Sequence, residues 1–432
     1  MNRTLPMKEL AALGFLMFAL FLGAGNLIFP PLLGQEAGTS LWPAIIGFLV
    51  TGVGLPLLAI IAVSQVNGDL HQLANRVHPV FAIIFSFTVY LAIGPFFGIP
   101  RTGTVAYEIG VVPFLANGQT TTSLLLSTLI FFSLTFLLAL NPAKLVDRIG
   151  KFLTPLLIIL IAIVSLRGIF APMGSFEPAE IKYENGAFFS GFIEGYLTMD
   201  TIAALVFGIV IMNRLAEKGV KDRAAIQSFT IKAGLIAGVG LSLVYLSLGY
   251  LGASSVSTIG RLDNGGAILA SVANVLFGST GSIILALVIT FACLTTSIGL
   301  VSACGEFFAK RFTSVSYPVI IFILCVFSFT MANLGLSQLI AVSLPVLVAI
   351  YPIAIVLITL SFFHKIIGER RSIYVGALIG AGLISLLDGI TTAGVNLESI
   401  TFLQWIPLHA EGLGWLIPSI IGGLIGWALS KR

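Results

Sequence analysis

Charge is what this sequence has least of. Asp, Glu, Lys and Arg make up only 9% of its 432 residues while 57% are hydrophobic, whereas a soluble globular chain carries about 25% charged residues. With a mean hydropathy of +1.07, the chain is excluded from the water-soluble globules, and no polar run is long enough to form a second, soluble domain. Cysteine is scarce too. Cys293, Cys304 and Cys325 all fall in apolar segments, none in a connector where an oxidising compartment would allow pairing, so no disulfide is expected. The histidines, His71, His78, His364 and His409, lie in connectors without ligand spacing, which gives no metal site. A nucleophile beside its base, a phosphate loop and a nucleotide fingerprint are equally missing. An enzyme therefore has no constellation to stand on. The formal net charge of +4 is distributed as a membrane topology requires and does not imply nucleic acid.

What the chain does have is long hydrophobic runs. Stretches of about 20 apolar residues, the length that crosses a bilayer, occur at about 10–32, 42–64, 79–100, 121–140, 152–171, 188–212, 229–251, 281–304, 317–332, 336–360, 373–389 and 413–430. They predict an all-α polytopic membrane protein of 12 transmembrane helices, a single transmembrane domain over residues 1–432. Arg3 and Lys8 before an apolar run resemble a signal peptide, but the run continues through Phe29-Pro30-Pro31, so a retained first helix is expected. With both termini cytoplasmic, the inside segments hold Arg3 and Lys8, Arg76, Lys144, Arg148 and Lys151, then Arg214, Lys218, Lys221, Arg223 and Lys232. Lys310 and Arg311, Lys365, Arg370 and Arg371, and Lys431 and Arg432 follow. Of the 22 basic residues only Arg101, Arg167, Lys182 and Arg261 are left outside, the asymmetry of the positive-inside rule. The expected location is the cell membrane.

The order of elements repeats with inversion. Five helices from about 10 to 171 form one unit, and the five from about 188 to 360 form a copy that an odd helix count turns upside down. Two helices, at about 373–430, are additional. Each unit has an interruption in its first helix, at Gly23-Ala24-Gly25-Asn26 and at Glu194-Gly195-Tyr196-Leu197-Thr198-Met199-Asp200-Thr201. Each also has an amphipathic connector between its second and third helices, with Leu70, Leu73, Ala74 and Val77 on one stripe and Ile268, Leu269, Val272 and Leu276 on the other.

A break at mid-membrane leaves backbone groups unpaired, and in hydrocarbon that is costly unless protein, ligand or ion satisfies them. In discontinuous transporter helices the second half-helix turns its N-terminus to an anion, while carbonyls closing the first half hold a cation. The alternative at Gly23–Asn26 is a close helix contact. In the eighth span, Ala292-Cys293-Leu294-Thr295-Thr296-Ser297 gathers hydroxyls and a carbonyl on one face. They read as hard ligands for a small alkali cation, or as hydroxyls bonded back to the preceding turn. Asp200 is the one acidic residue placed near mid-membrane, where a carboxylate marks function or caps a half-helix starting at Thr201. Arg101 and Glu108, at the outer end of span three, read as a gate pair or an interfacial contact.

The run Gly23-Ala24-Gly25-Asn26-Leu27-Ile28-Phe29-Pro30-Pro31, within this layout, resembles the bacterial branched-chain amino acid:cation symporter family, the branched-chain amino acid carrier II system. The likeness covers essentially the whole chain. More distantly, the break is similar to that of leucine-transporter-like sodium-coupled symporters with a five-plus-five inverted repeat, although the spacing differs by one residue, Pro30 following Asn26 by four. The resemblance implies discontinuous helices 1 and 6. It places the substrate carboxylate at the amides of Ala24, Gly25 and Asn26, next to Gly23, and the ammonium near the carbonyls of Tyr196, Leu197, Thr198 and Met199, beside Asp200. It places a sodium ion between the carbonyls of Ala19, Leu22 and Ala292 and the hydroxyls of Thr295 and Thr296. Tyr90, Phe96, Phe97 and Phe207 are expected to wall the aliphatic side chain. The implied function is sodium-coupled import of leucine, isoleucine or valine by alternating access, with no cofactor beyond the coupling ion and no obligate protein partner. Rivals are a same-fold symporter for another neutral amino acid or a nucleobase, a proton-coupled carrier using Asp200, and, from another class, a channel or membrane receptor. A channel needs polarity along its whole length, whereas here it concentrates at one depth.

Overall fold

Apolar runs of this length must satisfy their backbone internally, and helices do so within one segment. A computed structural model of the chain describes residues 6–116, 118–140, 142–220, 222–368, 370–396, 403 and 405–430, the side chains of 142–154 excepted. Arg3, Lys144, Arg148, Lys151, Lys221, Lys431 and Arg432, which enter the charge asymmetry, lie outside the described residues and side chains. The regular elements are all helical. The first half runs α1 (Met7–Phe21), α2 (Ala24–Ala37), α3 (Leu41–Leu49), α4 (Leu55–Ser64), α5 (Leu70–Asn75), α6 (Pro79–Leu91), α7 (Gly98–Gly110), α8 (Thr121–Ala139) and α9 (Pro142–Phe170). After α10 (Ile181–Glu184) come α11 (Ala187–Glu194), α12 (Asp200–Glu217), α13 (Arg223–Ile259), α14 (Gly265–Arg311), α15 (Tyr317–Ala332) and α16 (Leu336–Phe362). The chain closes with α17 (His364–Ile367), α18 (Arg371–Thr392) and α19 (Leu416–Leu429). Among the described residues, seven helical stretches are long and apolar enough to cross a membrane, eight when the bent pair Ala187–Thr198 and Asp200–Glu217 counts as one. Cys293, Cys304 and Cys325 are buried and unpaired with one another.

The first span breaks at Leu22–Gly23. Leu22 (φ −71°, ψ 78°) and Gly23 (φ −102°, ψ −170°) leave the helix and α2 starts at Ala24. Gly25 and Asn26, expected inside the unwound stretch, lie in the first turn of α2. The reason is that Asn26 Oδ1 accepts the Gly23 N–H at 3.2 Å and closes that turn from within. The sixth span breaks differently. A 3₁₀ turn at Gly195–Thr198 leads to Met199 at φ 63°, and the two halves are bent by 42°. A left-handed methionine costs about 1–2 kcal/mol, and such strain collects where function needs a fixed backbone. Asp200 is the first residue of α12 and caps nothing. The cap reading of Asp200 is therefore corrected, since Met199 occupies the cap position.

Span three needs the larger correction. Counted at bilayer length, the apolar run from 79 ends at about residue 100, yet the helix only kinks through a π turn at Ala92–Phe96 and resumes as α7. Pro100 lies in the first turn of α7, where a missing N–H goes unnoticed. Arg101 to Ile109 are consequently carried into the interior, and all of them are buried.

The long helix α13 runs beside both halves of the first span. Ile236 packs on Gly14 and Phe18 on Gly240, while further along α13 a β-carbon on Gly252 would lie 2.0 Å from the Pro31 carbonyl oxygen and one on Gly34 2.0 Å from that of Gly249. Backbones this close admit only glycine. The connector stripes fold as expected: Leu70, Leu73, Ala74 and Val77 are buried, as are Ile268, Leu269 and Val272, ahead of a kink at Gly278 (φ 63°) in α14. The segment before α11 is pinned across the two broken spans by Lys182, whose Nζ lies 2.6 Å from Glu36 on α2 and 2.7 Å from Glu194 on α11. Burial opposes the Lys182 charge, but the Glu194 and Glu36 carboxylates outweigh it and raise the ammonium pKa.

Candidate functional site

The turn that Asn26 Oδ1 makes with Gly23 fixes the rest of its side chain. Its Nδ2 donates to Asp200 Oδ2 at 2.6 Å and to the Tyr245 hydroxyl on α13. Tyr245 in turn donates to the same Asp200 oxygen at 2.9 Å. All three are buried, Asp200 to 3% exposure. A carboxyl at that depth is tolerated only with such partners. Around it, Thr198 Oγ1 donates to the Gly195 carbonyl at 2.9 Å and accepts the Asp200 N–H at 3.3 Å. The two breaks thus meet through side chains, with Gly25 and Asn26 facing Thr198 and Asp200. A methyl on Gly25 would lie 3.4 Å from the Thr198 carbonyl oxygen and 3.4 Å from Arg101 Nη1. Its surroundings are side-chain tips and a carbonyl at contact distance, unlike the backbone-on-backbone packing at Gly34 and Gly252.

Arg101 was expected with Glu108 as a gate or interfacial pair. It is neither. Arg101 is 2% exposed; its Nη1 donates to the Leu197 carbonyl at 2.5 Å, its Nη2 to Ser343 Oγ at 3.2 Å, and its guanidinium sits 5.0 Å from the Phe29 ring centroid. Glu108 instead accepts from Gln119 at 3.5 Å. Tyr245 and Ser343 are the residues of this cluster that the sequence did not point to. Arg101 was visible as a basic residue beside an apolar run, but a span of about 20 residues from 79 stops at about 100 and leaves it at the outer end.

On the other side of the break, Thr296 of α14 comes within 3.6 Å of where a methyl on Gly23 would be. Thr295 Oγ1 donates to the Ala292 carbonyl at 2.8 Å, the back-bonded arrangement, which leaves the hydroxyl lone pairs to face outward. Gly23 N–H would bond the Ala19 carbonyl in a continuous helix; it donates to Phe21 O at 2.7 Å instead. Leu22 N–H still closes α1 on Phe18 O at 2.8 Å. Ser297 turns away to Thr135 at 3.3 Å.

The expected apolar wall is only partly assembled. Phe207 is buried in α12. Tyr90 stacks on Phe307 with centroids 3.7 Å apart, and Phe96, 37% exposed, packs on Phe97 and on Phe327 of α15. Their ring contacts therefore lie with α14, α15 and the span-three kink, away from the Asn26–Asp200 cluster. The aromatic pair beside the second break is Tyr196 stacked on Tyr351 of α16 at 4.3 Å. Chemically, the site has a positive side, the α2 N-terminus with Arg101, and a negative side, the Leu197 and Thr198 carbonyls with Asp200. A small zwitterion matches both.

The branched-chain amino acid transport protein family matches residues 6–432 of this chain. The branched-chain amino acid permease BraB of Bacillus subtilis (strain 168) is 52% identical over 432 residues, which cover 100% of this chain and 97% of that one. BrnQ of the same organism, also a branched-chain amino acid permease, is 50% identical over 433 residues, 100% and 98% of the two chains. Among solved structures, Mhp1, a nucleobase-cation-symport-1 family transporter in a closed conformation with bromovinylhydantoin bound, matches with a TM-score of 0.61 and 13% identity, covering 98% of this chain and 92% of that one. At that identity the likeness is one of fold.

Proposed function

This chain belongs to the branched-chain amino acid transport protein family, and we propose that it imports leucine, isoleucine or valine with sodium by alternating access. It is a branched-chain amino acid carrier, a secondary transporter of the cell membrane and not an enzyme. Its all-helical fold is leucine-transporter-like. The finer reading is a topology of twelve spans with cytoplasmic termini, in two inverted units of five plus two further helices. Its substrate lies between the two breaks, the carboxylate toward Ala24, Gly25 and Asn26 and the ammonium toward the carbonyls of Leu197 and Thr198. The observation that carries it is the Asn26–Asp200 contact of 2.6 Å, which brings the half-helices of both interrupted spans to one point.

Sodium belongs between the carbonyls of Ala19, Leu22 and Ala292 and the hydroxyls of Thr295 and Thr296. The Cγ2 methyl of Thr296 lies beside Gly23, which puts α14 against the break of the first span. An ion held by α14 and the break of the first span stabilises the conformation in which they touch, so ion and substrate binding are linked, and the linkage is reciprocal. Since an apolar pocket separates aliphatic chains by only about 1–3 kcal/mol per methylene, mixed specificity for leucine, isoleucine and valine follows. Proton coupling is the second reading, favoured by the buried Asp200 with its two donors. Labelled leucine uptake into proteoliposomes decides: an inward sodium gradient should drive accumulation, and an inward proton gradient alone should not. The converse result transfers the coupling role to Asp200.

A further inference from the structure

A guanidinium in the middle of a membrane protein needs an anion or a purpose. Arg101 is 2% exposed and its hydrogen bonds go to a carbonyl, Leu197, and a hydroxyl, Ser343. Its face lies over Phe29. None of these partners carries negative charge. The Asp200 carboxyl is taken up by Asn26 and Tyr245, and Glu108 by Gln119. Among the described residues, Arg101 Nε is buried without any hydrogen-bond partner. Together with the second proton of Nη2 it forms the side edge of the guanidinium, a pair of parallel donors that fits a carboxylate in two-point contact. That group stands against the first turn of α2, where a methyl on Gly25 would lie 3.4 Å from Nη1. The Nη1 corner of the guanidinium thus adjoins the α2 N-terminus, while its Nε edge is buried and unsatisfied.

We propose that Arg101 is the receptor for the carboxylate of the transported amino acid, and that its bond to the Leu197 carbonyl is a resting contact which the substrate exchanges. The incoming carboxylate takes the guanidinium edge and the α2 amides. The ammonium takes the carbonyl that Arg101 gives up at Leu197, beside that of Thr198. Until the carboxylate arrives, the guanidinium repels any other cation from those carbonyls. Recognition of the negative end then precedes and permits recognition of the positive end, which restricts the substrate to a zwitterion. This rests on the site lying between the two breaks.

The test is competition for labelled leucine on purified, monodisperse protein by two halves of the ligand: 4-methylpentanoate, which lacks the ammonium, and 3-methylbutylamine, which lacks the carboxylate. On the unaltered protein the acid should displace leucine, whereas the amine should fail at about tenfold higher concentration. In Arg101→Gln leucine affinity should fall about 100-fold, the scale for one lost partner of a buried charged pair, and the amine should now compete. Arg101→Lys keeps the charge but loses the two-point edge, and should sit between the two. An amine that competes as well as the acid on the unaltered protein overturns the proposal, a result that needs no variant to fold. Normal leucine affinity in Arg101→Gln overturns it as well. Gly25→Ala is run alongside. If leucine binding is lost in Gly25→Ala but kept in Arg101→Gln, the exchange is rejected and the site stands; if it is kept in both, the site itself is misplaced.

Discussion

Asn26 Nδ2 lies 2.6 Å from Asp200 Oδ2, and this contact ties together two interrupted helices that are 174 residues apart in the chain. Residues in one hydrogen-bond network do not contribute independently; their coupling is typically about 0.5–3 kcal/mol. In a double-mutant cycle on leucine affinity, Asn26→Ala and Asp200→Ala should each weaken binding, and the pair together should be little worse than the poorer single variant. Strictly additive losses would mean that the two breaks do not act as one site.

Tyr245→Phe removes only the hydroxyl that lies between Asn26 and Asp200. Losing one hydrogen bond to a charged group typically costs about 1.5–3 kcal/mol, so leucine affinity should fall by about tenfold or more with the fold intact. Isothermal titration with leucine measures this directly. An unchanged dissociation constant would make Tyr245 a packing residue.

The two kinds of glycine on α2 should behave differently. Gly25→Ala puts a methyl at 3.3 Å from Phe29 and 3.4 Å from Arg101 and the Thr198 carbonyl, where neighbours can give slightly, so the protein should assemble while leucine binding weakens. Gly34→Ala meets the Gly249 carbonyl oxygen at 2.0 Å and should fail to assemble. Size-exclusion profiles paired with leucine binding separate the outcomes. Poor assembly with normal affinity in Gly25→Ala would identify it as a second packing glycine.

Thr296→Val keeps the side-chain shape, including the methyl that faces Gly23, and removes the hydroxyl proposed as a sodium ligand. The sodium concentration for half-maximal leucine uptake should rise sharply at near-normal expression. Sodium dependence that stays put would locate the ion elsewhere.

Lys182→Met leaves Glu36 and Glu194 facing one another without their shared cation, and the melting temperature should drop. The raised ammonium pKa sets the sign of the pH effect. A raised cationic pKa gives stability that is complete below the unfolded value of about 10.4 and lost as pH rises through the folded one. The ammonium should therefore still hold the two segments at about pH 9, and a gap in melting temperature between the two proteins should be present there. No gap at about pH 9 would remove Lys182 from the link between the two spans.

Much of the fold was legible because membrane helices must announce themselves: long apolar runs, interrupted by Gly23-Ala24-Gly25-Asn26 and by the polar stretch ending at Asp200, located both breaks within a residue or two. The exact register was hidden. Asn26 could be seen as a polar residue in a break but not as the side chain that closes the turn on Gly23 and so pulls itself and Gly25 into α2. Arg101 was misplaced because a span counted at bilayer length stops at about residue 100, whereas the helix kinks and continues past it. Tyr245 had no signal at all: it is one tyrosine in an unbroken apolar helix, and only the crossing of α13 with α2 brings it to Asp200. The ring contacts of Tyr90 and Phe96 were hidden for a related reason, since they are set by helix rotation, which composition does not report.

The position of α13 along both halves of the first span has a mechanical consequence. A cut rod bound to an intact one is splinted, and the cut no longer acts as a joint. With Gly14 and Phe18 of α1 seated on α13, and Pro31 and Gly34 of α2 pressed backbone to backbone against it further along, the gap at Leu22–Gly23 is held open without being loose. Its amides are presented by a stiff frame, as a jaw fixed to its mount. The other broken helix, which carries Asp200, meets this frame through the two hydrogen bonds that one oxygen atom accepts. Cysteine staples between α13 and either α1 or α2 should leave transport running, whereas one between α2 and α12 should arrest it.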